Sequence, residues 1–201
     1  MTKIEEVMPS EKSFVEEVFK PQIKELLYHR ADSFEVMFQL LEKKPEKNFI
    51  IVETGTSRQP NNWRGDGQST VQFDRFVNFY EGKVFSVDIS MENCQAAASQ
   101  CSNKTTLVCS DSVSFLNKVG LADVDLFYMD SFDVDFNAPH PSALHHLKEL
   151  CAAWAKLKPG CIIAVDDHNF GVGKGTYVKD FFENIGVKPI YEGYQIVYVK
   201  P

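Results

Sequence analysis

Apolar residues recur along this chain with two different periods. Over residues 10–43 they fall at helical spacing: Phe14, Val15, Val18, Phe19, Ile23, Leu26 and Leu27, then Phe34, Met37, Phe38, Leu40 and Leu41. Pro21 is placed to open a new helix rather than to lie inside one. From residue 48 the pattern changes to short apolar runs, most ending in an acid and each leading into a helix. Phe49-Ile50-Ile51-Val52, mostly β-branched and followed by Glu53, fits a strand buried on both faces. Strands are predicted again over 83–88, ending in Asp88; over 105–109, before Ser110-Asp111-Ser112; over 124–129, before Asp130; and over 161–165, before Asp166-Asp167. The helices between them are predicted at 71–80, 91–100, around Phe115, Leu116 and Val119, and at 142–157. Strand, acid, helix, repeated five times, predicts an α/β protein with a doubly wound parallel sheet. A helix over 176–184 and two short runs, 188–191 and 195–199, flanking Glu192-Gly193-Tyr194, then predict a C-terminal antiparallel hairpin.

Composition narrows the class without redirecting it. A chain of 201 residues with 44% hydrophobic and 24% charged residues is an ordinary globular domain, which sets disorder aside. Residues 1–47 read as an N-terminal helical extension and 48–201 as the domain proper. A net charge of −7 and a pI near 5.3 argue against nucleic acid or an anionic membrane as the main partner, leaving a small molecule as the expected one and self-association open. No run approaches the ~20 apolar residues of a membrane span. Residues 1–12 lack the apolar core of a signal peptide, so the expected location is cytoplasmic. Five cysteines without a CxxC pair read as reduced core thiols.

The candidate chemistry lies at the strand ends, where open α/β sheets bind ligands. Glu53 and Gly55 follow the first strand, and a glycine there admits close backbone approach. Ser69 or Thr70 is the expected N-cap of the next helix, whose first N–H groups suit a carboxylate or phosphate. Asp130 and Asp166-Asp167 converge if strands four and five are neighbours. Like charges that close need a cation or protons, and Mg2+ or another divalent cation suits an all-oxygen set.

These residues resemble the class I S-adenosylmethionine-dependent methyltransferases, and among them the metal-dependent O-methyltransferases of the catechol and macrolide-sugar types. The first group carries E-x-G-x-x-x-G-x-S after strand one. Here Glu53-Thr54-Gly55-Thr56-Ser57 and Gly67-Gln68-Ser69-Thr70 supply its two ends around an insertion at 58–66. The resemblance implies a Rossmann-like, seven-stranded, mostly parallel sheet. It also implies S-adenosylmethionine as cofactor, held by Glu53, Gly55, Thr56, Ser57 and Ser69 at its methionine end. Asp88 would sit at the ribose, Asp111 and Ser112 beside the adenine, and Asp130 by the methyl. Asp130, Asp166 and Asp167 fall where that family holds its metal.

The implied reaction is methyl transfer to a hydroxyl of a small sugar or phenolic acceptor. A metal would activate and orient that hydroxyl, and a base would take its proton. His168 is the first candidate for that base; Asp133 is the alternative, and Asp135 and His140 share its loop. The 171–176 run, Gly-Val-Gly-Lys-Gly-Thr, fails the phosphate-loop pattern at both ends and reads as a loop bordering the acceptor. Consecutive His145-His146 read as surface or packing residues, and Glu5-Glu6 and Glu16-Glu17 as solvated helix faces. Three other readings compete: a nicotinamide oxidoreductase, disfavoured because G-x-G-x-x-G is missing; a non-catalytic nucleotide-binding module; and a metal-independent N- or C-methyltransferase.

Overall fold

The computed structural model describes residues 12–201; Glu5-Glu6 and the start of the helical region expected from residue 10 lie outside them. Seven strands form one sheet in the order β3-β2-β1-β4-β5-β7-β6. They are β1 (Asn48–Thr54), β2 (Glu81–Asp88), β3 (Thr105–Cys109), β4 (Leu126–Met129), β5 (Ile162–Val165), β6 (Tyr191–Glu192) and β7 (Ile196–Val199). The first five are parallel, and β7 pairs antiparallel with both β5 and β6. The hairpin is thus where the sequence places it, although its first strand is cut to two residues.

Register decides where the chemistry sits. Thr54 pairs with Met129, and Met129 with Val165, so the carboxyl ends of β1, β4 and β5 finish level. The residues that follow, Gly55, Asp130 and Asp166, are therefore side by side. Strand order reverses between β1 and β4, which makes that edge the crevice in which a doubly wound sheet binds ligands.

Alternation along β1 divides the core. Phe49 and Ile51 point into one cluster and Val52 into the other. The second cluster holds α5 (Ser112–Lys118), α6 (His140–Trp154) and α7 (Thr176–Asn184) against the sheet through Leu116, Leu150, Ala153, Val178 and Phe182. The first is aromatic: Phe14, Phe19, Phe34, Phe38, Phe73 and Phe76 are all fully buried, and Phe38 lies 4.9 Å from Phe14 and 5.1 Å from Phe76 between ring centroids. Phe73 and Phe76 come from α3 (Ser69–Phe79) and the others from the N-terminal segment. That segment is accordingly part of the sheet's core, covering one face of it.

The expected N-terminal helices are broken in a way that matters for the site. A π-helical turn (Val15–Phe19) runs into the short α1 (Lys20–Gln22), with Pro21 in its first turn. Two 3-10 turns follow (Lys24–Leu26 and Tyr28–Arg30), and only then α2 (Ala31–Glu42). Pro21 lacks the N–H that a continuous helix would use, and Tyr28 adopts φ +53°. The resulting bend turns Arg30 inward, to 5% exposure.

The remaining helix, α4 (Met91–Ala98), is capped by Ser90, whose hydroxyl accepts from the Asn93 N–H. All five cysteines are free, but Cys109 and Cys151 are exposed, so only Cys94 and Cys161 are the core thiols expected of the set. Among the described residues no helix is long and apolar enough to cross a membrane.

Truncating Phe38 to alanine should lower the unfolding free energy by about 3–5 kcal/mol, the usual range for a fully buried Phe. Trp63 packs on the first cluster and Trp154 on the second. Urea unfolding of Phe38→Ala, followed in Trp63→Phe and Trp154→Phe backgrounds, should show the same lowered midpoint with both probes. Separate transitions would mean that the N-terminal segment is an independent layer.

Candidate active site

The loop after β1 is built on close contacts that only glycine allows. Gly55 has φ +80°, and a Cβ there would lie 2.4 Å from the Asp130 backbone oxygen. The Glu53 carboxylate is fully buried and accepts from the hydroxyls of Thr70 (2.7 Å) and Ser86 (2.5 Å); its Oε1 has no partner among the described residues. Thr70 in turn accepts from the Ser57 N–H at 2.8 Å. Glu53 and Thr70 thus shape the loop from beneath. Helix α3 begins at Ser69 and not beyond it, with Gln68 (φ +51°) in the cap position; Thr70 is not the cap because its hydroxyl serves Glu53. The 58–66 insertion is gathered around Asp66, which accepts from the N–H groups of Arg58 (3.3 Å) and Gln68 (3.1 Å) and from Gln68 Nε2 (2.8 Å). Asp66 also places Arg58, whose guanidinium meets Asp133 at 2.9 Å.

Three hollows run together along the carboxyl edge of the sheet. The first, about 420 Å3, is lined by Gly55, Asp88, Asp111, Ser112 and His145, with Ile89 and Phe132 as apolar walls. The second, about 810 Å3, shares Gly55, Asp88, Ile89 and Phe132 with it and continues past Thr56 to Asp130 and Asp133. The third, about 700 Å3, shares Asp130, Asp133, Arg58 and Asp66 with the second and is closed by Asp167, Phe136 and Tyr194. Asp88 is oriented by the N–H groups of Ser90 (2.8 Å) and Thr56 (3.3 Å) and by the Asn93 amide (3.2 Å). Asp111 caps α5 by accepting from the Ser114 N–H at 2.7 Å, a bond that also lowers its pKa.

At the join of the second and third hollows the three aspartates converge, with one carboxylate oxygen from each of Asp130, Asp166 and Asp167 within 4.8 Å of the others. Two side chains of this protein already neutralise them. Arg30 Nε donates to both oxygens of Asp166 and its Nη2 to Asp167, all at 2.9 Å. Lys174, 1% exposed, donates to Asp130 and lies 3.1 Å from Asp167. Burial works against the charge of Arg30 and Lys174, but the carboxylates outweigh it and raise both pKa values. Burial also pushes the Asp167 carboxyl upward, yet Lys174, Arg30 and the Tyr194 hydroxyl (2.6 Å) outweigh it and hold that pKa low. With three carboxylates against two cations the surplus falls on Asp130, whose pKa burial raises well above the carboxylate range against the opposing pull of Lys174.

The fit of a divalent cation follows from that count. Asp166 Oδ1 already accepts from Arg30, the Asp167 N–H (2.7 Å) and Gln195 Nε2 (3.0 Å). Both Asp167 oxygens are engaged as well. A dication within ~4 Å of the Lys174 ammonium would meet repulsion of about 8 kcal/mol at an effective dielectric constant near 20. The aspartates converge as expected, but with Lys174 and Arg30 in place they do not fit a metal.

The other expected residues divide by position. Gly55, Thr56, Asp88, Asp111, Ser112, Asp130 and Asp133 line the connected hollows, whereas Glu53, Ser57, Ser69 and Asp166 lie behind them. His168 is not brought to the cleft. It is fully buried, its N–H donates to the Tyr194 oxygen (2.7 Å), its Nε2 lies 3.3 Å from Glu192, and burial lowers its pKa. Asp167 at φ +43° turns the chain, directing successive side chains to opposite sides. Asp135 holds the Asn137 N–H, and His140 meets the Tyr177 hydroxyl at 2.7 Å.

Three functional positions escape sequence reasoning. Arg30 is 136 residues from Asp166. Lys174 sits in a loop set aside for failing the phosphate pattern. His145 does not merely pack: it lines the first hollow, with Nε2 3.1 Å from Ser112 and 3.3 Å from the buried Glu149. The i,i+4 spacing of His145 and Glu149 was the available signal.

Comparison with known proteins supplies the fold's relatives. Neither a protein-family model nor a curated protein matches the chain. Among solved structures it is similar to the MycE methyltransferase from the mycinamycin biosynthetic pathway, in complex with Mg and SAH, at 13% identity and TM-score 0.61 over 90% of this chain and 54% of that one. It is similar to the O-methyltransferase NovP at 11% identity and TM-score 0.57, over 85% and 80% of the two chains. NSun6 from Pyrococcus horikoshii, with SFG, matches at 16% identity and TM-score 0.56 over 78% and 42%. The chain spans about half the length of MycE. The fold is the Rossmann-like fold of these methyltransferases.

Glu53 provides a pH test of the loop. Burial raises its pKa from an ordinary 4.5 to about 7. Between those values the folded protein holds a proton that the unfolded chain releases, so this group's contribution to stability falls as pH rises from about 4.5 to 7. His146 opposes it: burial lowers its pKa from 6.5 to about 4, so its contribution rises with pH over that interval. The stability of Glu53→Gln relative to wild type should therefore increase between pH 4.5 and 7, by up to about 3 kcal/mol. Urea melts at the two ends of the window measure this difference, in which His146 cancels.

Proposed function

We propose that this chain transfers the methyl group of S-adenosylmethionine to a hydroxyl of a small sugar-like or phenolic acceptor. The observation that carries this reading is the continuity of the cleft: a groove over the ends of β1, β2 and β3 opens at Asp130 into a second, polar hollow. Cofactor and acceptor then meet at one carboxylate.

In this reading the adenine lies between Ile89 and Phe132, near Ser112 and His145. Asp88, already aimed by two backbone N–H groups, accepts from the ribose hydroxyls; a carboxylate has acceptor sites to spare. The methionine end runs over Gly55 and Thr56 toward Asp130. A sulfonium is electrostatically favoured in this stretch of the cleft, where Asp66, Asp88 and Asp133 outnumber the one lining cation, Arg58.

The acceptor hydroxyl enters through the third hollow, in line with the methyl–sulfur bond. Its oxygen forms the new bond to carbon as the carbon–sulfur bond breaks, and S-adenosylhomocysteine leaves. Asp133 takes the released proton: it lines both the second and the third hollow and stands open to solvent, with 72% of its side chain exposed. His168, enclosed against Glu192, takes no part. Carboxylates from Asp66, Asp133 and Asp167 outnumber the two guanidinium groups lining this hollow, Arg30 and Arg58, which favours a neutral acceptor over a polyanion.

The test is a screen of hydroxylated sugars and phenols with methyl-labelled cofactor. Once an acceptor is found, Asp133→Asn should lower kcat by about 100-fold or more, within the usual range for loss of a general base. His168→Gln should leave kcat within a few-fold. Label that appears only on amines, or a fully active Asp133→Asn, would remove the hydroxyl-acceptor mechanism.

A further inference from the structure

We propose that Lys174 takes the place of a divalent cation, making this a metal-independent site whose counterion is a side chain of the protein. The loop that carries Lys174 is shaped for that task. A Cβ at Gly173 would lie 1.9 Å from the Asp167 backbone oxygen, and one at Gly175 would lie 2.5 Å from His168 Nδ1. Only glycines on both sides let the loop press flat against the end of β5. The Lys174 N–H then donates to the Asp167 oxygen at 3.0 Å, so the backbone is fixed before the side chain reaches forward.

The ammonium ends where a shared cation would have to be. It bridges Asp130 after β4 and Asp167 after β5, the two members of the acidic set that line the cleft. It also lies 3.4 Å from the Asp130 backbone oxygen, so several acceptors converge on it. At 1% exposure it is no solvent-facing lysine that swings aside without cost. Arg30 completes the arrangement by holding Asp166 and the other oxygen of Asp167, and Gly67 gives it room: a Cβ at that residue would lie 2.8 Å from Arg30 Cδ.

Lysine changes what the site does to an acceptor. A metal ion binds the acceptor oxygen directly and draws off its proton. An ammonium saturated by carboxylates holds the aspartates in place and leaves the acceptor to hydrogen-bond with Asp130. Lys174 is in this sense a positioning residue. The inference depends on the proposed methyl transfer only for its consequence on turnover; its effect on metal binding stands apart from that reading.

Mn2+ is the probe, read by the amplitude of its free-ion paramagnetic resonance signal and by thermal melting of the full chain. The wild type should leave the free-ion signal and its melting temperature unchanged. Lys174→Met keeps the apolar stem and removes the charge; it should bind Mn2+ at least about tenfold more tightly than the wild type, a shift of roughly 1.4 kcal/mol, and melt higher when Mn2+ is added. Turnover of the wild type, once an acceptor is known, should survive EDTA. Stoichiometric Mn2+ binding by the wild type, lost in Asp130→Asn, would overturn the proposal, as would a folded Lys174→Met that binds Mn2+ no better than the wild type. If Lys174→Met does not fold, the wild-type titration decides alone: binding overturns the proposal and its absence supports it. A protein that transfers no methyl yet gives the expected Mn2+ results would refute the function and leave the lysine's role standing.

Discussion

Five ionisable side chains at one edge of the sheet, with Arg30, Asp166 and Lys174 buried and Asp130 and Asp167 half-buried, hold this protein's working parts together. Asp130, Asp166 and Asp167 are costly to enclose, since each leaves water for a low-dielectric setting. Arg30 and Lys174 make the enclosure tolerable, and each arrives from a different part of the chain. Arg30 belongs to the N-terminal segment and Lys174 to the loop before α7, while Tyr194 and Gln195 from the hairpin supply further hydrogen bonds. Removing Arg30 would strand the buried Asp166 carboxylate, which generally costs more than the intact pair contributes, and removing Lys174 would leave Asp130 without its cation. The network therefore binds the N-terminal segment, the two central strand ends and the C-terminal hairpin into one unit.

Close backbone approach makes the network and the cleft compatible. Gly55 lets the loop after β1 lie on the Asp130 backbone, Gly67 leaves space for Arg30, and Gly173 admits the Lys174 loop. At these points a side chain would clash, and at Gly55 and Gly67 the backbone is also left-handed. The outcome is a thin layer of loops over the sheet edge, with the connected hollows above and the charges beneath. Glu53 plays a related part, supporting its loop through Thr70 without facing the cleft.

Much of this was legible in the sequence, and what was not has a common cause. Runs such as Phe49 to Val52 are local signals, so strand positions, the acids behind them and the closing hairpin all followed from periodicity. Asp88, Asp111 and Asp130 sit at the cleft because register carries strand ends there automatically. Side chains that depend on long-range packing were hidden: Arg30 comes from a bend at Tyr28, and Lys174 was read only as part of a loop bordering the acceptor and not as a counterion. His168 follows the aspartates directly, yet the left-handed turn at Asp167 sends it to the other side. The 58–66 insertion has no periodicity, and its order comes from one carboxylate, Asp66, accepting several N–H groups.

The claim on which the rest hangs is that the groove from Ser112 past Asp88 to Asp130 is a site for S-adenosylmethionine. Isothermal titration of S-adenosylhomocysteine, with NAD as the competing candidate, tests it most directly. The account predicts saturable one-to-one binding of S-adenosylhomocysteine, weakened about 10- to 100-fold in Asp88→Ala through loss of charge-assisted hydrogen bonds, and no binding of NAD. Binding of NAD alone, or S-adenosylhomocysteine binding indifferent to Asp88, would contradict it.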